Sequence, residues 1–132
     1  MERNMRVLLV DDDEDDQALF FEAVKQYDET IDCIGAKNGQ EALDYLRNEA
    51  NLVPDFIFLD LRMPGLSGQR CLEEMKKEPR LLPVPVIVYT TSREVDESIK
   101  LKKMGAVHFM SKPESPDDLY YMVSVVLGEQ WN

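Results

Sequence analysis

Three acids, two adjacent hydroxyls and a lysine each stand where a short apolar run stops. MRVLLV is followed by Asp11 and Asp12, and FIFL by Asp60. VIVY runs into Thr90 and Thr91, and HFM into Ser111 and Lys112. Carboxylates brought within a few ångströms of one another repel and desolvate poorly unless a cation sits among them. Magnesium suits such a cluster, because it takes oxygen ligands octahedrally, keeps several waters and readily shares a phosphate; Mn2+ is an acceptable substitute. A carboxylate is also a competent nucleophile toward phosphorus. Phosphoryl transfer mainly demands positioning and charge neutralisation, which one metal ion, one lysine and one hydroxyl supply.

Each residue also has a plainer reading. The six consecutive acids Asp11 to Asp16 can be a solvated face. Asp60, ahead of Leu61-Arg62-Met63-Pro64-Gly65, can cap a turn. Thr90 and Thr91 can be ordinary β-branched strand residues, and Lys112, just before Pro113, a surface lysine. All four plain readings must hold together for the site to vanish.

The elements that would bring these residues together are legible in the pattern. Five short apolar runs, Met5 to Val10, Ile31 to Ala36, Phe56 to Asp60, Val86 to Thr90 and His108 to Ser111, read as strands. Three are nearly continuous, as in central strands covered on both faces, whereas IDCIGA alternates and suits an edge. Between them lie helical patterns: Asp15 to Tyr27, with Phe20, Ala23, Val24 and Tyr27 on one face; Asn38 as cap to Leu46; and Ser67 as cap to a helix stopping before Pro79. Ser92 opens a fourth that ends at Gly105. Ser115 caps a fifth, reaching about Gln130, with Pro116 in its first turn and Asp117 and Asp118 near the positive helix end. The order is β-α five times over, which implies an α/β fold with a largely parallel sheet, helices on both faces and right-handed crossovers. Such folds bind ligands outside the carboxyl ends of their strands. The second strand ends in Ala36 and Lys37 and brings no acid there; the other four converge the polar set on one rim.

Composition narrows the function classes. A chain of 132 residues, 44% hydrophobic, accommodates one domain with a proper core and no need of disulfides. Two cysteines, Cys33 and Cys71, without Cys-x-x-Cys spacing, read as core thiols in a reducing, cytoplasmic setting. No apolar run approaches the roughly 18 residues of a membrane span, and the N-terminus does not read as a signal peptide. A net charge of -11 repels nucleic acid and anionic membranes.

Four segments resemble one family in order and spacing: LLVDDDEDD, FIFLDLRMPGLSG with its Met63, Pro64 and Gly68, PVIVYTTS, and GAVHFMSKP. From about Met5 to Gln130 the chain resembles the receiver domains of two-component response regulators, chemotaxis-regulator-like proteins. The resemblance implies a five-stranded flavodoxin-like sheet in order 2-1-3-4-5, residues 1-132 being one receiver domain with no output domain. It implies that Asp60 is the phosphoacceptor, Asp12 a direct magnesium ligand and Asp11 one acting through water, with the Arg62 main-chain carbonyl completing the protein ligands. Thr90 would bond the phosphoryl oxygen, Lys112 would pair with it, and Phe109 would be the rotating aromatic coupled to Thr90. Arg62 and Ser92 occupy the positions that tune phosphoryl lifetime. The YTTS and LLPVP segments look especially like single-domain regulators paired with phytochrome-type or other hybrid histidine kinases.

The function implied is that of a cytoplasmic phosphoacceptor in a two-component system or phosphorelay. It would take a phosphoryl group from a histidine kinase or phosphotransfer protein, and lose it slowly by itself rather than act as an enzyme. Two rivals differ in kind. A magnesium-dependent aspartyl-phosphate phosphohydrolase usually carries a second acid two residues after its nucleophile, where this chain has Arg62. A pseudo-receiver scaffold normally lacks part of the acid, hydroxyl and lysine set, all of which is present.

Output is then a surface change read by another protein. LYYMVSVVL is apolar almost all round: Leu119, Met122, Val123 and Val126 form one stripe, leaving Tyr120, Tyr121, Val125 and Leu127 over. Leftover apolar surface marks a contact site, so a homodimer or partner interface including Tyr121, Val125 and Trp131 is expected; a broader core contact is the alternative. Lys100, Lys102 and Lys103 complement a helix dipole or dock an acidic partner. His108 reads as structural.

Overall fold

The computed structural model describes residues 4–63, 65–91, 95–129 and 131. Its strands are β1 (Arg6–Val10), β2 (Asp32–Ala36), β3 (Phe56–Leu59), β4 (Val86–Thr90) and β5 (His108–Ser111). Its helices are α1 (Glu14–Tyr27), α2 (Gly39–Arg47), α3 (Gly68–Met75), α4 (Val95–Lys103) and α5 (Pro116–Leu127). All strand pairings are parallel and the order is β2-β1-β3-β4-β5, as the sequence pattern and the resemblance implied.

Strand alternation splits the core into two layers. Leu8, Val10, Ile57, Leu59, Val86 and Val88 face α2, α3 and α4, where Leu43, Leu46, Leu72, Met75 and Leu101 close over them. Val7, Leu9, Phe58, Ile87 and Tyr89 face α1 and α5, which pack side by side and contribute Phe20, Val24, Leu119, Val123 and Val126. Phe20 anchors this second layer edge-on to Phe58, ring centroids 4.7 Å apart.

Three of the expected helix caps are present. The side chains of Asn38, Ser67 and Ser115 accept from the N–H groups of Glu41, Arg70 and Asp118, each satisfying a donor that the first helical turn leaves orphaned. Helix α1 starts earlier than expected, because Asp13 caps it by accepting from both Asp15 and Asp16 N–H. The expected cap of α4, Ser92, lies outside the described residues. Helix α4 ends at Lys103, and the chain reverses through Gly105 at φ +112°. A short 3-10 helix at Pro79–Leu81, not anticipated from the sequence, leads from α3 toward β4.

Two expectations for α5 are corrected. The helix stops at Leu127, with Gly128 as its C-cap, rather than near Gln130. Leu127, counted among the leftover residues, is buried, because α5 touches α1 as well as the sheet and so hides a wider arc than one stripe.

Candidate functional site

The parallel register sets β1 and β3 level at their carboxyl ends, with Val10 opposite Leu59. The ladder continues one residue further: Asp60 N–H donates to the Val10 carbonyl at 2.9 Å and Asp11 N–H to the Ala36 carbonyl at 3.0 Å. On the other side, Lys112 N–H donates to the Thr90 carbonyl at 2.7 Å. Asp11, Asp60 and Lys112 are therefore fixed by backbone pairing, not by flexible loop.

Asp11, Asp12 and Asp60 each present an oxygen within 4.8 Å of the others. Asp11 is fully buried and Asp60 only 4% exposed, while Asp12 is open to solvent. Asp11 Oδ1 accepts from Asp13 N–H at 3.0 Å, and Asp60 Oδ1 from Arg62 N–H at 3.1 Å. The Lys112 ammonium spends its three protons on three carboxylates: Asp11 at 2.7 Å, Asp16 at 2.9 Å and Asp60 at 3.1 Å. It also lies 5.4 Å from the centre of the Tyr89 ring, a distance at which a cation is attracted to the aromatic face.

Charge follows from this geometry. Burial pushes the Asp11 carboxyl above its ordinary range, more than Lys112 and the Asp13 N–H pull it down. Burial works the other way on Lys112, but its bonds to Asp11 and Asp16 and the charge of Asp60 prevail and hold the ammonium well above its usual range. Tyr89 is pushed up to about 12, chiefly by burial, so its hydroxyl stays neutral. The Lys112 ammonium thus faces three carboxylates, Asp11, Asp16 and Asp60, and Asp12 adds a fourth acid beside Asp11 and Asp60. An all-oxygen donor set with surplus negative charge fits a hard divalent cation.

Thr90 is fully buried at the end of β4, opposite Ser111, whereas Thr91 is exposed. Phe109 is paired with Val88 and half-buried against the α2–α3–α4 layer, on the face that Thr90 shares two residues further along β4. Arg62 extends into solvent from the loop after β3. Ser92 and Pro64 lie outside the described residues. Gly68 has a steric reason for its place: a Cβ there would fall 2.3 Å from the Asp60 carbonyl oxygen and 2.6 Å from the Leu61 Cα.

Away from the rim, Tyr121 and Val125 are 69% and 42% exposed on α5. Trp131, expected beside them, is instead half-buried. Its indole N–H donates to the Val126 carbonyl at 2.9 Å and its ring lies over His108, centroids 5.3 Å apart. The indole is the largest apolar group left after α5 ends, and this position removes it from water. Of the two cysteines, Cys71 is buried and Cys33 half-buried; both are free.

Two site residues escaped the sequence reading. Asp16 is hidden within the acidic run, yet it stands four residues before Phe20 and so on the inward stripe of α1. Gln17, one residue on, donates through Nε2 to the carbonyls of Asp11 and Ala36 and ties the ends of β1 and β2 together. The helical period, extended back by one turn from Phe20, would have found both.

Residues 7–124 match the response regulator receiver domain. The chain belongs to that family. The receiver is 31% identical over 128 residues to the probable methanogenesis regulatory protein FilR2 of Methanothrix harundinacea, covering 95% of this chain and 82% of the relative. It is likewise 31% identical over 121 residues to the response regulator Rcp1 of Synechocystis, covering 89% and 82%. The Mn2+-bound structure of Rcp1 superposes with a TM-score of 0.85 at 29% identity, over 97% of this receiver and 95% of that chain. The phosphorylated cyanobacterial phytochrome response regulator RcpA gives 0.84 at 29% identity, over 93% and 91%. Membership of this family implies phosphoacceptor signalling, and among the described residues no helix is long and apolar enough to cross a membrane.

Proposed function

We propose that this receiver takes a phosphoryl group on Asp60 in a Mg2+-dependent reaction, from a histidine kinase or phosphotransfer protein in the cytoplasm. The observation that carries the reading is the convergence of Asp11, Asp12 and Asp60 with the Lys112 ammonium and the Thr90 end of β4 on one rim. Rcp1, solved with Mn2+, and RcpA, solved phosphorylated, support it by likeness.

Asp11, Asp12, Asp60 and the Arg62 carbonyl would hold the metal. When bound, Mg2+ supplies charge neutralisation between the nucleophile and the phosphoryl oxygens. An Asp60 oxygen attacks phosphorus in line; the P–N bond of the donor phosphohistidine breaks, and the imidazole leaves with the electron pair and takes up a proton. Lys112 gives its charge to one phosphoryl oxygen and the Thr90 hydroxyl donates to another. Phe109, beside Val88, follows Thr90 and carries the change to the surface, while Arg62 and Ser92 control how water reaches the product. Output passes through a protein-contact surface on α5 rather than through nucleic acid or membrane, and a homodimer through Tyr121 and Val125 is one form of it.

Incubation with Mg2+ and a small-molecule phosphodonor tests the reading. Wild type is expected to carry acid-stable, base-labile label, and Asp60→Asn none. Equal labelling of both refutes Asp60 as acceptor. Label on neither indicates a partner-binding scaffold, and rapid turnover of many phosphate esters a hydrolase.

A further inference from the structure

The Lys112 ammonium has a third carboxylate that lies outside the metal-ligand cluster. Asp11 and Asp60, its partners at 2.7 and 3.1 Å, are two of the three acids whose oxygens converge for a cation. Asp16, at 2.9 Å, is not one of them; its side chain is 37% exposed, on the first turn of α1. Asp16 and Lys112 share a small cavity with Tyr89 and Pro113 beside the rim.

A dication entering among Asp11, Asp12 and Asp60 competes with the ammonium for the same oxygens and repels it. Two of the three Lys112 hydrogen bonds are then contested, and only the bond to Asp16 survives intact. We propose that Asp16 is a positioning residue: it holds the Lys112 ammonium at the rim when a divalent cation occupies the acids, keeping it within reach of an arriving phosphoryl oxygen. The inference rests on the metal reading proposed above. It predicts that Asp16 assists cation binding without touching the cation, because it lowers the cost of displacing the lysine.

The test is a double-mutant cycle on cation affinity, read by calorimetric titration of the full chain with Mg2+ and then Mn2+, with thermal melts confirming that each variant folds. Asp16→Asn is expected to raise the Mg2+ dissociation constant about fivefold, the scale of one hydrogen bond of ordinary strength, because solvent screens the 37% exposed Asp16 side chain. In the Lys112→Met background the same change is expected to act less than about twofold, since only a remote charge is lost. Asp16→Glu, which can still reach the ammonium, is expected to restore near-wild-type affinity, and it carries the test alone if Lys112→Met does not fold. An unchanged affinity in Asp16→Asn, an equal effect in both backgrounds, or failure of Asp16→Glu to rescue overturns the role of Asp16. A wild type that binds neither cation overturns the metal reading itself and with it this inference.

Discussion

Gly68 shows how closely the backbone of the candidate acceptor is packed. The first residue of α3 sits directly on the Asp60–Leu61 peptide, and a single methyl group would meet backbone atoms that cannot step aside. Gly68→Ala should therefore cost about 1–3 kcal/mol by overpacking, readable as a lowered urea midpoint, and should slow labelling at Asp60 by moving the loop. Loss of neither would mean that α3 can slide without disturbing Asp60. At this scale the sequence was informative wherever a residue ends a strand, because strand ends are dictated by hydrophobic pattern. Asp11, Asp60, Thr90 and Lys112 were all legible in that way. Asp16 was not, because its position depends on the helical phase of α1, and a run of six acids conceals phase. The packing of Trp131 on His108 was not legible for a related reason: past the end of α5 no periodicity constrains where an indole turns.

Among the elements, β5 is the strand that joins the two ends of the molecule. It begins at His108, half-covered by Trp131, and runs directly into Lys112. Burial lowers the pKa of His108 below its ordinary 6.5, with the Lys102 charge adding to the effect and Glu129 opposing it. The neutral imidazole is thus favoured in the folded state. A depressed histidine contributes stability that is full above the unfolded pKa and is lost as pH falls toward the folded one. Stability measured by urea unfolding should accordingly decline as pH drops below about 6.5, and His108→Gln should flatten that decline. An identical pH slope in the variant would assign the effect to other groups. The strands and three helix caps were readable because their signals are local: alternation, Ser or Asn before a helix, proline at its first turn. The start of α1 differs from the expected position by one residue, and its end at Tyr27 is as expected, whereas α5 stops three residues short of Gln130 because Gly128 caps it.

For the whole molecule, the two-layer core accounts for most of the apolar sequence but leaves an uncovered strip on α5, with Tyr121 and Val125 open to water. Equilibrium sedimentation should show a dimer whose dissociation constant rises at least about tenfold in Tyr121→Ala/Val125→Ala, given the weight of aromatic anchors in interfaces. A monomer at high concentration, with and without phosphodonor, would refute the dimer. The position of Trp131 has a further use. It is the chain's single tryptophan, and it stands at the amino end of a four-residue strand whose other end delivers Lys112. At about 3.3 Å per residue, some 13 Å separate the two ends. The protein therefore carries its own optical gauge, remote from the reacting atoms. Indole emission that tracks the labelling of Asp60 would mean that β5 shifts as one rigid lever; emission that ignores it would confine the movement to the rim.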